Sequence, residues 1–559
     1  MLAARTAVAF SLIDRLPPVV VSPPSGGRAI GPSGSHGNRV GAAPVPHPAT
    51  RNTIDRCPLP ARHRAEIRSQ DSGTPSCPIR RAIGGIMHRI EEVVARGMCV
   101  GCGACAVRTD GRVPVTIGAR RSFEADLDGV GADDLRAASR VCPFSDESRD
   151  EDAIGATRYP DLPHDARIGR YSGLFAGRLR DGDRALGSSS GGLTSWVAEQ
   201  LLVRGDVDAI LHVSGAEDRS RGLFDYRVTD DAAEFRARRK SLYSATTLAE
   251  VLQAVRGDGR RYALIGVPCF LKAARLLAEE DPVLGAQLAF FLGLVCGHLK
   301  SQAFAEALAW QAGVAPDDLR DVDFRVKAPG RPSNRYDFGA TGPDGEVEVP
   351  TASLVGGSWG HAMFQVAACD FCDDIFAETA DIAFGDAWLP RYTDDWRGTN
   401  VIVSRRPELD ALLRDAAAAG ELDLDEVSVD DVAATQAGNF RHRRVGLSVR
   451  LHDDTTAGLS VPRKRVPASL DGIDPKRVEL VRRRRRIARR SHEAFARARA
   501  AGDLEMFLRA MHPLVGAYAR IERGGAVRRF ADAVARRARR MAGGAHGVAR
   551  RARGLVPGL

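Results

Sequence analysis

Cysteine placement limits the possible folds of this chain more than any other feature. Eight of its ten cysteines fall into two groups of four, within residues 99–142 and 269–372. Cys57 and Cys77 lie upstream in a segment rich in Pro, Gly, Ser and Arg, and we assign them no role. Clustered cysteines in a large chain favour metal coordination over disulfides. We therefore expect a fold built around two thiol-coordinated sites.

The first group has the spacing of an iron–sulfur ligand set. Cys99, Cys102 and Cys105 are spaced three residues apart, and Cys142-Pro143 supplies a fourth thiol. A C-x₂-C-x₂-C run combined with a distant Cys-Pro is the bacterial ferredoxin pattern for a [4Fe–4S] cluster. The alternative is a zinc site, although zinc modules usually pair two C-x₂-C units or add histidine.

The second group combines two predicted strand ends with a later pair. Cys269 and Cys296 follow apolar runs, and Cys369 and Cys372 form a C-x₂-C. The carboxyl ends of neighbouring parallel strands share one edge of a sheet, where open α/β folds place ligands. Each strand-end cysteine taken alone would more often be an ordinary core residue. Because four thiols occur together, we predict a second [4Fe–4S] cluster.

Strand and helix patterns alternate through the middle of the chain, which indicates βαβ units and a mostly parallel sheet. Strands are predicted at Ser172–Leu179, Val207–Val213, Tyr262–Val267, Leu288–Val295, Asp323–Val326, Ile382–Gly385 and Asn400–Val403. Helices are predicted at His88–Arg96, Gly192–Arg204, Thr247–Val255, Phe270–Ala278, Phe304–Ala312, Glu408–Ala419 and from Pro475 onward.

Charge is distributed unevenly along the chain. The net charge is +9, but residues 1–86 hold 11 Arg and only four acidic residues, and residues 476–559 hold 23 basic and six acidic residues. The body between them is therefore acidic, and its charge gives no reason to expect nucleic-acid binding. No run of 18 apolar residues occurs, so we expect no transmembrane helix and a cytoplasmic location.

The basic tail is predicted to form an amphipathic helix. It contains the run Arg482–Arg486, with apolar residues interleaved among the charges: Phe495, Phe507, Leu508, Met511 and Leu514. Such a helix suits an anionic membrane surface or an acidic protein, so the protein could be peripheral at the membrane. The alternatives are a solvated arginine-rich face and a tail that folds back on the acidic body.

A turn of small residues, Gly187–Gly192, precedes the helix that is predicted to begin near Leu193. Backbone N–H groups and hydroxyls in such a turn can approach a phosphate at the helix N-terminus. Taken alone, the turn is more often an ordinary one, in which Ser190 only caps the helix.

The motifs appear in the order C-x₂-C-x₂-C, Cys-Pro, Gly-Ser-Ser-Ser-Gly-Gly, Lys-Ser-x-Tyr, Gly-Val-Pro-Cys, Val-Cys-Gly, C-x₂-C and Gly-Asp. This series resembles the beta subunit of coenzyme F420 hydrogenase/dehydrogenase, F420 being a deazaflavin. The family also includes 7-hydroxymethyl chlorophyll a reductase. The resemblance runs from about residue 97 to residue 440. It implies a flavoprotein with FAD and one or more [4Fe–4S] clusters, and the choice between FAD and FMN stays open.

The resemblance also implies flavin contacts, at Ser189, Ser190, Gly191, Gly192, Lys240, Tyr243 and Asp386. The alternative for Lys240 is an ordinary solvated charge, and that for Asp386 is a strand-end turn. The Arg325–Lys327 segment is a candidate anion contact, but a surface strand is the preferred interpretation.

These expectations give a fold class and a domain plan. The fold class is α/β, with a small ferredoxin-like iron–sulfur module, a mostly parallel α/β flavin-binding core and a helical basic C-terminal tail. Residues 1–86 form a disordered or mis-annotated leader before a start at Met87. The further parts are 87–160 ([4Fe–4S] module), 165–315 (flavin-binding domain), 316–445 (C-terminal family domain with the second cysteines) and 446–559 (linker and tail).

The predicted function is an oxidoreductase that passes electrons between clusters and a flavin, with a deazaflavin or small organic molecule as substrate. Its redox partner is a ferredoxin or a catalytic subunit. One alternative is an electron-transfer subunit that docks on a catalytic partner. Another is a zinc-stabilised binding module with a basic tail.

Overall fold

The computed structural model describes residues 87–237 and 240–524. The predicted leader with Cys57 and Cys77, and the arginines beyond residue 524, lie outside the described residues.

The strands are β1 Val115–Ile117, β2 Phe123–Ala125, β3 His164–Asp165, β4 Gly169–Arg170, β5 Gly173–Leu179, β6 Ala209–Gly215, β7 Phe224–Thr229, β8 Tyr262–Gly266, β9 Leu288–Leu294, β10 Asp321–Val326, β11 Asp337–Gly342, β12 Gly345–Pro350, β13 Ile382–Asp386, β14 Asn400–Ser404 and β15 Leu422–Glu426. The helices are α1 Ile90–Ala95, α2 Ala104–Arg108, α3 Ala132–Val141, α4 Glu151–Arg158, α5 Gly182–Leu186, α6 Leu193–Val203, α7 Ala232–Ala237, α8 Ala249–Val255, α9 Pro268–Glu280, α10 Pro282–Gln287, α11 Ala303–Gln311, α12 Pro390–Thr393, α13 Pro407–Ala418, α14 Val429–Thr435, α15 Ala437–Phe440, α16 Gly446–Thr456, α17 Pro475–Ala501 and α18, residues 504–524.

The central sheet has eight strands in the order β15-β5-β14-β13-β9-β8-β6-β7. Its four middle strands, β13, β9, β8 and β6, are parallel, which confirms the predicted parallel core. The pairings outside them are antiparallel, and the apolar runs of β5 and β14 gave no sign of strand direction. The result is a mixed α/β sheet with a parallel centre.

A second, antiparallel sheet of β10, β11 and β12 lies outside the main one. Only β10 was predicted from the sequence. The β11–β12 hairpin turns at Gly345, whose φ of 110° lies in the region that favours glycine. The inner face of this sheet buries Phe324 and Phe338 in the hydrophobic cluster that also receives the tail.

The N-terminal module packs directly on the central α/β core. Val107 and Val141 share a hydrophobic cluster with Leu252 and Leu277 of α8 and α9. At the periphery, the Glu280 carboxylate receives hydrogen bonds from Arg108 and Arg140. The first cysteine group is therefore held against the helices that lead to the second.

The basic tail folds back on the body as far as it is described. Phe495, Phe507 and Met511 of α17 and α18 are buried, and Phe495 contacts Phe364 edge to face at 5.6 Å between ring centroids. Arg485 pairs with Asp454 and Asp370 of the acidic body. Burial of these apolar residues supports the fold-back alternative for residues 475–524, and the membrane contact stays a prediction. No helix in the described ranges is both long and apolar enough to span a bilayer.

Candidate functional site

The first cysteine set comprises Cys99, Cys102, Cys105 and Cys142, and all four line one small, mostly apolar cavity. The Ala125 N–H donates a hydrogen bond to Cys99 Sγ at 3.3 Å. Hydrogen bonds to coordinating sulfur help to set the potential of iron–sulfur clusters. The structure thus brings together the four thiols that the sequence grouped.

The loop of the first set depends on glycine. Gly103 has a φ of 86°, and a Cβ atom there would lie 2.5 Å from Thr247 Oγ1 and 2.6 Å from the Ala249 nitrogen. Any larger residue would push the loop away from α8. The Leu248 N–H also donates a hydrogen bond to the Cys102 carbonyl at 3.0 Å.

The second cysteine set comprises Cys269, Cys296, Cys369 and Cys372. Cys269 lies in the first turn of α9, just after β8, and Cys296 follows β9. Burial raises the pKa of the Cys269 thiol well above its ordinary value, and the thiolates of the other three members raise it further. The Leu299 N–H donates a hydrogen bond to Cys369 Sγ at 3.2 Å. These four thiols also form one group.

The protonation chemistry of both sets suits a bound metal cluster. Burial raises the pKa of Cys142 to about 12 and that of Cys296 to about 11. Without a cation, such thiols stay protonated near neutral pH, whereas coordination to iron stabilises the thiolate. Within the ranges 87–237 and 240–524, no group of three or more His, Cys, Asp and Glu side chains is arranged to hold a single metal ion. The four-thiol chemistry of each donor set is what fits a cluster.

Sequence reasoning missed Arg443, which is buried beside the second set. Its guanidinium donates to Cys296 Sγ at 3.5 Å and to the Gly297 carbonyl at 3.0 Å. Burial acts to lower its pKa, but the charges of all four cysteines raise it above the ordinary value. Arg443 lies in a π-helical turn, Arg441–Val445, a feature frequent at functional sites. That turn aims a cation at the thiolates.

The two sets are close to each other. Cys102 and Cys369 lie in one hydrophobic cluster, and Cys142, Cys269 and Cys372 pack against it. The structure thus places a member of the first set near a member of the second.

A cavity of about 640 Å³, here called the central cavity, opens at the carboxyl edge of the parallel strands. Its wall includes Cys296 of the second set. The predicted flavin contacts on its wall are Ser189, Ser190, Gly192, Lys240, Tyr243 and Asp386. Gly191 does not line it but lies behind the wall, where a Cβ would be 2.6 Å from the Gly177 carbonyl. The volume is within the range of roughly 300–1,000 Å³ that is typical of ligand sites.

Hydrogen bonds fix the Ser/Gly turn, residues 187–192, at the N-terminus of α6. Ser189 Oγ accepts from the Ser241 N–H at 2.7 Å, next to Lys240. Lys327 Nζ donates to the Ser190 carbonyl at 2.7 Å and to the carbonyls of Ala185 and Arg397. These bonds hold the turn beside the N-terminus of α6, a position that suits a phosphate.

Asp386 and Arg325 form a bidentate ion pair in the cavity wall, with distances of 2.9 and 3.0 Å. The Arg325 side chain is 4% exposed. The preferred interpretation of the Arg325–Lys327 segment as a surface strand is therefore wrong. The short Arg-Val-Lys motif gave no sign that strand β10 is buried.

Lys240 and Tyr243 are held by neighbours across the cavity wall. Lys240 Nζ pairs with Asp323 at 2.8 Å, so it is not merely a solvated charge. Tyr243 contacts Phe324 and Trp359, with ring centroids 5.2 and 4.9 Å away. An aromatic wall of this kind suits a planar ligand.

Two family models describe this part of the chain. Residues 174–253 match the N-terminal part, and residues 259–430 the C terminus, of "Coenzyme F420 hydrogenase/dehydrogenase, beta subunit". Residues 174–253 and 259–430 belong to this family of oxidoreductase subunits. Residues 431–524, which include Arg443 and the tail, lie beyond both matches.

Two known proteins are similar to this chain. One of the F(420)H(2) dehydrogenase subunits of Methanosarcina mazei is 24% identical over 321 residues, covering 55% of this chain and 80% of its own length. A chain of the F420-reducing [NiFe] hydrogenase complex from Methanosarcina barkeri is 17% identical, with a TM-score of 0.41. That match covers 55% of this chain and all of the other.

Proposed function

We propose that this family member is an iron–sulfur flavoprotein that passes electrons between two [4Fe–4S] clusters and a flavin. The flavin would exchange them with a deazaflavin or small organic substrate. The single observation that carries this proposal is the continuity of the two cysteine sets with the central cavity. The first set shares a hydrophobic cluster with the second, and Cys296 of the second set lies in the cavity wall.

Each part of the chain has a defined role in this proposal. Residues 87–160 supply the first cluster ligands, residues 165–315 the Ser/Gly turn and two cysteines, and residues 316–445 the remaining thiols and Asp386. When bound, the clusters and flavin supply one-electron and two-electron chemistry respectively. The protein fixes their positions, excludes water from the thiols and offers donors to the flavin phosphate at the Ser/Gly turn.

Serine substitutions test the two sets separately. We expect Cys102→Ser and Cys296→Ser each to lose about half of the iron of the anaerobically purified protein, because each set would hold its own cluster. Cys77→Ser, outside both sets, is the matched control and should retain all of it. Iron analysis with the visible spectrum measures this. Unchanged iron in both set variants would refute the proposal.

A second candidate is an electron-transfer subunit whose turnover requires a catalytic partner. It is favoured by the relative whose name describes it as part of a dehydrogenase. The isolated protein would then accept electrons from a reduced ferredoxin but reduce no small substrate until that partner is added. The zinc-stabilised module remains the outcome indicated by a colourless, zinc-containing preparation.

A further inference from the structure

The far end of the central cavity is built largely by segments beyond the family match. Here called the basic end, it is lined by His298, Lys300, Trp359, Arg441, His442, Arg477, Arg484, Tyr518 and Glu522. All of these from Arg441 onward follow residue 430, where the family match ends. The tail therefore completes the cavity as well as covering the hydrophobic cluster.

Two buried histidines at the basic end have their tautomer set by arginine. Arg484 Nη2 lies 3.2 Å from His298 Nδ1, and Arg450 Nη1 lies 3.5 Å from His442 Nδ1. Since a guanidinium can only donate, each Nδ1 accepts, and the neutral ring carries its proton on Nε2. The side chains are buried, and within the described residues neither Nε2 has a hydrogen-bond partner. Two N–H donors are thus left without acceptors beside one cavity.

The residues that line the basic end include more basic side chains than carboxylates. Lys300 is fully buried, and its Nζ donates to the Met363 carbonyl rather than to a carboxylate, while burial and the charge of Arg484 lower its pKa well below the ordinary value. Arg484 donates to the Gly360 carbonyl and to His298, and its Nε has no partner among the described residues. Burial lowers the pKa of Arg484 to about 10, and neighbouring Arg450 adds to this effect. Among the residues lining the basic end, Glu522 is the one carboxylate.

We propose that the basic end binds an oxyanion, a carboxylate or phosphate, belonging to a ligand in the central cavity. Buried cations and unpaired N–H donors are costly unless an acceptor with negative charge meets them. His298 is held for this role by its stack on Trp359, with ring centroids 4.3 Å apart. Identifying the ligand as the redox substrate rests on the proposed function; the anion site itself does not.

Calorimetric titration of the full-length protein with inorganic phosphate and with succinate tests the site. We expect the wild type to bind at least one anion and Arg484→Gln to bind it about tenfold more weakly or worse, because a charged hydrogen-bond donor is lost. Arg486→Gln is the matched control, since Arg486 is exposed on the same helix. If Arg484→Gln does not fold, the anion affinity of His298→Phe is measured instead, because this change keeps a ring against Trp359 but removes the Nε2–H donor. Equal affinity in wild type and variants would overturn the proposal.

Flavin retention identifies the source of the oxyanion. If Arg484→Gln keeps its flavin and loses anion binding, the oxyanion belongs to a second ligand; if it also loses flavin, the oxyanion is the flavin phosphate. If the wild type binds neither anion and Arg484→Gln keeps its flavin, the proposed oxyanion site is refuted. A protein that lacks iron and flavin but still binds the anion at Arg484 would refute the proposed function and leave the site standing.

Discussion

Arg443 is the residue whose charge bears most directly on the second cysteine set. Its guanidinium contacts Cys296 Sγ and is influenced by all four thiols. A cation at this distance stabilises the more negative, reduced form of a cluster. Arg443 would therefore raise the reduction potential of the second cluster above that of the same ligands alone.

Replacement of Arg443 tests this effect. We expect Arg443→Gln to lower the potential of one cluster by about 60 mV, equivalent to a tenfold change in a one-electron equilibrium. Arg443→Lys keeps the charge and should restore most of the difference. Redox titration followed by electron paramagnetic resonance measures both. Identical potentials in all three proteins would show that Arg443 has only a structural role.

Among single residues, the sequence predicted site residues that belong to a spaced motif and missed site residues that belong to none. All eight described cysteines join the set to which they were assigned, because C-x₂-C spacing and strand-end positions are visible in sequence. Arg443, Arg325 and His298 are single residues of common types, and nothing in their neighbourhood signals burial. Their partners lie more than 60 residues away along the chain.

Helix α17 and the start of α18 act as a structural lid over one hydrophobic cluster. Phe495 packs against Phe364 and Phe507 with ring centroids 5.6 and 5.8 Å away. In the run 482–486, Arg482 and Arg485 pair with aspartates of the body, whereas Arg484 lines the central cavity. Arg486 is exposed. The run is therefore divided among structural pairing, the cavity wall and solvent.

Truncation of Phe495 should destabilise the fold. We expect Phe495→Ala to lower the free energy of unfolding by about 3–5 kcal/mol, because the change leaves a cavity among buried rings. Met506→Ala on α18 is the control, since Met506 is 39% exposed, and it should change the value by less than about 0.5 kcal/mol. Urea unfolding measures both. Equal effects would contradict the packed position of the tail.

At the element scale, most core strands and helices were predictable because buried runs and helical periodicity are local signals. Strands β8, β9 and β13 begin at the predicted residues and end within one residue of the predicted boundary. The antiparallel margins and the β11–β12 hairpin were not predicted. Strand direction depends on the path of the connecting chain, and β12, with its alternating Glu and Val, contributes little buried surface of its own.

The whole molecule joins parts that the sequence could list but could not assemble. The N-terminal module brings the first cysteine set to α8 and α9, the parallel strands end at the central cavity, and the tail closes the basic end. Because these parts meet through contacts remote in sequence, their arrangement required the structure. On this arrangement we propose a path for electrons from the first set through the second to the cavity.

Iron, acid-labile sulfide and flavin, measured per chain on anaerobically purified full-length protein, test that claim most directly. We expect about eight iron and eight sulfide, the content of two [4Fe–4S] clusters, together with about one flavin. We also expect dithionite to bleach cluster and flavin absorption together. A colourless protein that contains zinc and no flavin would contradict the account.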